Sequence, residues 1–406
     1  MSSPNARTTW IVISAAIIAA LLKLYCAWTT FGTTDVRLFA IFGKYITDHG
    51  LEATYRDWSI FNHTPLVANF ITSALALAEL PFAKNCGITF PFLLRLPGII
   101  ADFLVVLVLL RVPVDCKYRT AWLALFALSP VSFMVSGYHG NVDPILVLFL
   151  VLAAWMCMKN QPLACGLFLG LACNVKIAAI LLAPVFFFHW LHRGQAIRLV
   201  AITIVTCLAG WYEPLTEYPT LFLKNVFGYS SYWGSWGVTY WLRATGLPQF
   251  QSLVWANMAP AQHLTVTILK CLVLLGIFTL AWLRRATPGR GIFATIACAW
   301  AVFFIFSPGA GAQYMIWLAP FVLIASPAWY LALTIASTAF MFMFYNTISH
   351  GLPWNVGYST NELAPIWTPW TNLPWLVLIA GASFFLWKSR NRNISTDLAE
   401  NREIHG

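Results

Sequence analysis

Asp35 is a lone carboxylate that follows directly on the first long apolar run, in the stretch Thr33-Thr34-Asp35-Val36-Arg37. Charged residues make up only 9% of this 406-residue chain, so each one set beside an apolar run asks for a reason. Ionisable groups at membrane depth are costly and usually mark a site. A positioned carboxylate can take a proton from a hydroxyl as general base. Other polar residues recur at the ends of later apolar runs: His63, Arg95, His139, Asn141, Asp143, Lys176, Glu213, Glu217, Arg243, Gln313 and Tyr314. Carboxylates, cations and aromatic rings around an outward cavity would make an active-site inventory. The Arg and Lys members suit an anion as well, because both side chains can clamp a phosphate.

The elements that must position these residues follow from composition. With 60% hydrophobic residues and a mean hydropathy of +0.73, the chain reads as an all-α integral membrane protein rather than a water-soluble one. Apolar runs of about 20 residues, each able to span hydrocarbon as a helix, recur along its length. The alternating ten-residue strands of an outer-membrane barrel are missing. A formal charge of +10 does not imply nucleic acid, since the Lys and Arg sit in short connections where topology and snorkelling account for them. The nine cysteines show no paired spacing. They read as small core residues, with neither a disulfide framework nor a metal site implied. The run at 10–30 is too long for a signal-peptide core and lacks a clear cleavage site, so it reads as a retained anchor.

Hydropathy sets out about twelve spans, at 10–30, 92–111, 118–136, 143–158, 162–175, 177–192, 197–212, 264–284, 291–306, 314–326, 328–346 and 374–388. The basic clusters Arg111/Lys117/Arg119, His189/His192/Arg193/Arg198, Arg284/Arg285/Arg290 and Lys388/Arg390/Arg392 then face the cytoplasm, as does Arg7. The whole of 1–406 forms one membrane domain. Its opposite side collects a first outer loop at 31–91 and two aromatic loops at 213–263 and 347–373. This arrangement requires that 64–84 dip into the outer interface without crossing, beside an amphipathic helix at about 36–49. The two aromatic loops carry Tyr229, Tyr232, Trp233, Trp236, Tyr240 and Trp241, and Trp354, Tyr358, Trp367 and Trp370. They suit a folded lid, although an interfacial aromatic belt is the plainer reading of each ring. No internal repeat of the kind seen in secondary transporters is apparent.

Each candidate also has a plain structural reading. Arg37 can simply face water, and Glu79 can be solvated at the interface. Asp143 before Pro144 suits an N-cap, with proline at the first helical position. His139 and Asn141 can satisfy helix-end carbonyls. Lys176, between two apolar runs, can be a snorkelling turn residue. Asp35 has the weakest such reading, since it stands after a span in no evident cap motif.

In order and spacing these residues resemble the GT-C superfamily of integral-membrane glycosyltransferases. Thr34-Asp35-Val36 followed by Phe61-Asn62-His63-Thr64-Pro65-Leu66 is similar to the first outer loop of the first GPI mannosyltransferase and of bacterial polyprenyl-phosphate-mannose-dependent enzymes. Arg95-Leu96-Pro97 with Ala101-Asp102 looks like the family's arginine-led second span. The stretch Ser136 to Leu146, which contains His139-Gly140-Asn141-Val142-Asp143-Pro144, resembles the short outer loop of protein O-mannosyltransferases. Val175-Lys176, and Ser307-Pro308 with Gln313-Tyr314, also fit. The chain departs from the GPI enzyme's Asp-x-Asp in having Arg37 at the second position. A single Asp suffices in the metal-independent members.

The resemblance implies a GT-C-like bundle of about twelve transmembrane helices, with juxtamembrane helices in the first outer loop. It implies transfer of a hexose, mannose by analogy, from a polyprenyl-phosphate donor to a hydroxyl acceptor. The acceptor would be a glycan, a glycolipid or another alcohol. Transfer would proceed by inversion on the extracytoplasmic face, with Asp35 as catalytic base. Arg95, Lys176 and Arg243 would bind the donor phosphate. His63, His139, Asn141, Asp143, Gln313, Tyr314 and Trp236 would contact substrate. No metal ligand set and no cofactor is expected, although dependence on a divalent metal stays open; the lipid-linked sugar is itself a substrate. Partners are that donor, the acceptor and the lipid bilayer, with no nucleic acid. Short loops favour a bacterial plasma membrane over the endoplasmic reticulum. A transporter or flippase of lipid-linked saccharides, or a non-catalytic membrane scaffold, are the alternative readings.

Overall fold

Proline opens many of the helices. Pro65, Pro144, Pro162, Pro260 and Pro327 each sit in a first helical turn, where a missing N–H costs nothing and the fixed φ suits the helix. The computed structural model describes residues 6–113, 117–228, 233–252, 257–356 and 369–405. Its main helices are α1 (Ala6–Thr29), α2 (Thr34–Asp57), α3 (Pro65–Glu79), α4 (Phe90–Leu109), α5 (Arg119–His139), α6 (Asp143–Met158), α7 (Pro162–Val175), α8 (Ile177–Leu191), α9 (Ala196–Glu217), α10 (Pro260–Leu283), α11 (Gly291–Phe306), α12 (Ala312–Ala325), α13 (Pro327–Ile348) and α14 (Asn372–Lys388). Among the described residues there is no strand. Tyr229, Tyr232, Tyr358 and Trp367 of the expected aromatic loops lie outside the described residues, as do the side chains of Arg390 and Arg392.

Six helices (α1, α4, α5, α9, α10 and α13) are long and apolar enough to cross a membrane, by length and composition. Seven more apolar helices run 10–17 residues. This is the architecture of an α-helical, multi-pass membrane protein. Where hydropathy sets out a dozen spans, polar breaks stop several helices short: α7 ends at Asn174-Val175 and α11 at Ser307-Pro308. The 15 residues of α3 rise about 22 Å, less than the roughly 30 Å of a hydrocarbon core.

The helix expected at 36–49 runs further, because Gly50 kinks it instead of ending it. Gly50 takes φ +85 inside α2, and the helix continues to Asp57. Val36, Phe39, Phe42 and Gly43 face inward on α2, while Arg37, Lys44, Asp48 and His49 are exposed. Arg37 thus points to the outside, in keeping with its plainer reading.

The connections sort to two ends of the bundle. At one end Arg119 donates to the Leu110 and Val112 carbonyls at 2.7 and 3.2 Å, Arg193 to the Thr287 carbonyl at 3.4 Å, and Arg284 to the Thr295 hydroxyl at 3.0 Å. At the other end lie the start of α2 and the segment 139–143, together with Lys176 and the turn before α12. The cysteines are mostly core residues, as expected. Four of them nevertheless meet in pairs despite their sequence spacing: Cys157 and Cys165, across the α6–α7 connection, have Sγ atoms 3.5 Å apart, and Cys173 on α7 meets Cys207 on α9.

Candidate active site

The site is assembled from helix ends. Asp35 lies in the first turn of α2, where a carboxylate also complements the helix dipole. The chain reaches it through Gly32, at φ +100, and Thr33, whose hydroxyl donates to the His139 carbonyl at 2.7 Å. A Cβ on Gly32 would lie 2.7 Å from the Tyr138 carbonyl, so only glycine lets the two segments touch.

His139 ends α5, whose last seven residues, Phe133–His139, wind as a π-helix closed by Gly140 at φ +80. Its Nε2 is 2.9 Å from Asp35 Oδ2, and its Nδ1 is 2.8 Å from the Tyr345 hydroxyl on α13. A carboxylate only accepts, so Nε2–H is the donor toward Asp35. Nδ1 then accepts the Tyr345 proton when the ring is neutral, or donates its own when the ring is charged. Asn141 adds a second donor to the same Asp35 oxygen, its Nδ2 at 2.8 Å, while its Oδ1 accepts from the Val142 amide at 2.7 Å. The Asp35 side chain keeps a third of its surface exposed.

A second carboxylate lies beside it. Asp143 does not cap α6 with its side chain. Its Oδ1 accepts from Lys176 Nζ at 2.8 Å and from the Trp317 indole at 2.6 Å. Lys176 is extended between α7 and α8. Its ammonium lies 4.4 Å from the Tyr314 ring centre and 5.2 Å from that of Trp317, and these two rings stack at 4.3 Å. Such contacts favour a cation most where water is excluded. Lys176 is therefore turned into the protein rather than snorkelling. Gln313 is the half-buried member of the otherwise buried turn that carries Tyr314.

Asp35 feels the charge of Lys176, the partner of Asp143. Burial alone would raise the Asp35 pKa. Positive charge on His139, hydrogen bonds from His139 and Asn141, and the Lys176 charge outweigh burial and hold it down to about 2. Asp35 is therefore ionised at any physiological pH. His63 packs its ring on Phe39 and Phe61, with centroids 4.8 and 5.5 Å away. Burial, reinforced by Lys176 and only partly offset by Asp35, lowers the His63 pKa to about 3.

A folded-state pKa near 3, against about 6.5 in the unfolded chain, means that acid favours unfolding. Between those values the unfolded chain binds the proton and the native one does not, so stability falls as pH drops through that window. Thermal denaturation in detergent from pH 7 to pH 4 should show a falling midpoint. His63→Phe, which keeps the ring packing, should flatten that fall; an unchanged slope would mean His63 is not the titrating group.

Other expected residues are placed elsewhere. Arg95 is 1% exposed. Its guanidinium donates to the carbonyls of Pro91, Gly137, Tyr138, Ala27, Thr30 and Phe31 and to the Thr30 hydroxyl. It joins α1, α4 and α5 from behind the site and offers no free face to a phosphate. Trp236 is also 1% exposed. Its indole donates to the Phe304 carbonyl at 2.7 Å, so it anchors its loop in the core instead of covering the site. Nearby, the Thr239 hydroxyl donates to the Pro308 carbonyl at 2.7 Å and the Gly237 amide to Asn372 Oδ1 at 3.1 Å. Arg243 follows on the short helix Gly237–Ala244, half-buried. Glu213 accepts from Tyr218 at 2.8 Å and belongs to a separate group beside the second half of α2.

Sequence reasoning missed Tyr345 and Trp317. Each is a polar-tipped ring in an apolar run, and a buried O–H or N–H of that kind needs a partner. Among the described residues no group of three or more His, Cys, Asp or Glu is disposed to hold a metal ion. No family model matches this sequence, and no curated protein matches it.

Proposed function

We propose that the protein is a polyprenyl-phosphate-sugar-dependent glycosyltransferase that acts by inversion with Asp35 as base. The observation that carries this reading is the Asp35 carboxylate: ionised, one-third exposed, and oriented through one oxygen by His139 and Asn141. Those two bonds both fall on Oδ2, which leaves Oδ1 for an acceptor hydroxyl. The acceptor oxygen attacks the anomeric carbon and the bond from that carbon to the phosphate oxygen breaks. The bonding pair leaves with the polyprenyl phosphate, and the acceptor proton passes to Asp35 Oδ1.

A carboxylate with pKa about 2 is a weak base. It suffices when bond cleavage runs ahead of attack, as at sugar centres with oxocarbenium-like transition states, because the acceptor oxygen becomes strongly acidic as it bonds. Apart from His139, Lys176 is the cation nearest this chemistry. Its side chain is 14% exposed, whereas that of Asp143 is fully buried. It is the group to meet the leaving phosphate, with a preorganised charge in a dry site. Asp143, fully buried, orients the Lys176 ammonium through Oδ1.

In this reading six of the seven shorter apolar helices, all but α3, join the six long ones in a bundle of about twelve spans. The basic end is cytoplasmic and the Asp35 end extracytoplasmic, with a bacterial plasma membrane as the setting. A hexose, mannose by resemblance, is the group transferred. The test is the linkage formed. A donor with a β-linked sugar should give an α-linked product by NMR; a β-linked product would rule out a single displacement with one base.

A further inference from the structure

Lys23 and Asp102 are charged residues within the apolar helices α1 and α4, and the mechanism above uses neither. Lys23 Nζ lies 2.7 Å from Asp102 Oδ2 and 2.6 Å from the Ser132 hydroxyl, and the side chains of the ion pair are 4% and 12% exposed. Ser132 and Ser136 both donate to that same Asp102 oxygen. A buried ion pair is weak evidence of stability, because removing two charges from water offsets much of their attraction. Ionisable groups at this depth call for a functional reason.

Position supplies one. Lys23 lies seven residues before Thr30, Asp102 seven residues after Arg95, and Ser132 seven residues before His139. Two polar layers, about two helical turns apart, therefore tie the same three helices. The upper layer is Arg95, which takes up the Gly137 and Tyr138 carbonyls near the end of the π-helix. The lower layer brackets its start, with Ser132 just ahead of the segment and Ser136 within it. Between the layers runs the wide turn that delivers His139 to Asp35. Met134 to His139 are buried, and the start of the turn has an open flank. Phe133 and Met134 border a cavity of about 420 Å³, lined also by Leu22, Phe342 and Trp354. Against that open flank, a one-residue slip from π toward α winding would swing His139 by about 100°.

We propose that Lys23, Asp102, Ser132 and Ser136 are positioning residues that lock the π register of Phe133–His139 and so set His139 against Asp35. The kinetic part of this proposal rests on the glycosyltransferase reading; the structural part does not. Lys23→Met with Asp102→Leu removes both charges and refills the volume, and Ser136→Ala removes one hydroxyl with little risk to folding. In ¹⁵N-histidine-labelled protein, the His139 Nε2–H bonded to Asp35 should give a slowly exchanging proton, assigned by its loss in His139→Gln. Both variants should lose that signal while keeping the wild-type unfolding midpoint to within a few degrees, and Ser136→Thr should retain it. In sugar transfer, kcat should fall roughly 10- to 100-fold with KM unchanged, as small misplacements near a reacting centre do. A wild-type His139 signal in folded double variant and in Ser136→Ala would overturn the proposal. If the wild-type protein transfers no sugar, the function reading falls, and the NMR comparison still decides whether the lock exists.

Discussion

Asp35→Asn should reduce sugar transfer by roughly 10²- to 10⁴-fold, the usual worth of a positioned proton acceptor, while the protein keeps its fold. Asparagine is nearly isosteric, and its amide oxygen can still accept from His139 Nε2 and Asn141 Nδ2, the two donors now 2.9 and 2.8 Å from Oδ2. What is lost is the anionic oxygen that receives the acceptor proton. The unfolding midpoint should move by a few degrees at most, and donor binding, measured by calorimetry, should persist. Asn141→Ala removes one of two bonds that orient the carboxylate and should cost less than Asp35→Asn in the same assay. A variant at Asp35 that unfolds would show a structural role; one that folds and transfers at the wild-type rate would remove Asp35 from the mechanism.

Arg95→Leu should act on the fold and not on the donor. The guanidinium serves seven acceptors, among them the final carbonyls of α1 and the π-helix of α5, and it is 1% exposed. Leucine leaves those buried carbonyls without a donor in a setting where water cannot replace it. A loss of roughly 3–5 kcal/mol is expected, the range for breaking a buried charged network by removing one partner. Such a loss would appear as a sharply lower unfolding midpoint in detergent. A folded Arg95→Leu protein with normal stability but weakened donor binding would instead restore Arg95 to the phosphate site. Arg95→Lys should rescue little, because one ammonium cannot reproduce a planar fork that reaches both helix ends.

These two residues show what was legible in the sequence and what was not. Asp35, His139, Asn141, Asp143, Lys176 and Tyr314 could be picked out because polar groups are rare in so apolar a chain, and the structure gathers them at one end of the bundle. Arg95 carried the same signal, yet its partners are mostly backbone carbonyls, which every residue has and no pattern reveals. Trp236 was misplaced for a similar reason: an indole that anchors a loop and one that covers a substrate have the same sequence signature. Lys23 was hidden inside the first apolar window, where one charge is averaged away among its neighbours. The π-helix at Phe133–His139 was not legible in hydropathy, since Phe133-Met134-Val135 continue the apolar run whichever way it winds. The helical class followed from composition, but helix lengths did not, because they depend on where breaks such as Asn174 to Lys176 actually fall.

The most direct test of the account is sugar transfer by the purified protein from a panel of radiolabelled polyprenyl-phosphate sugars into a membrane extract, wild type beside Asp35→Asn. The account predicts transfer from one donor by the wild type and its near-abolition in the folded variant. Equal transfer by both proteins would place the base elsewhere. An absence of transfer from every donor, with Asp35→Asn still supporting growth of the host, would contradict the account and favour a transport or scaffolding role.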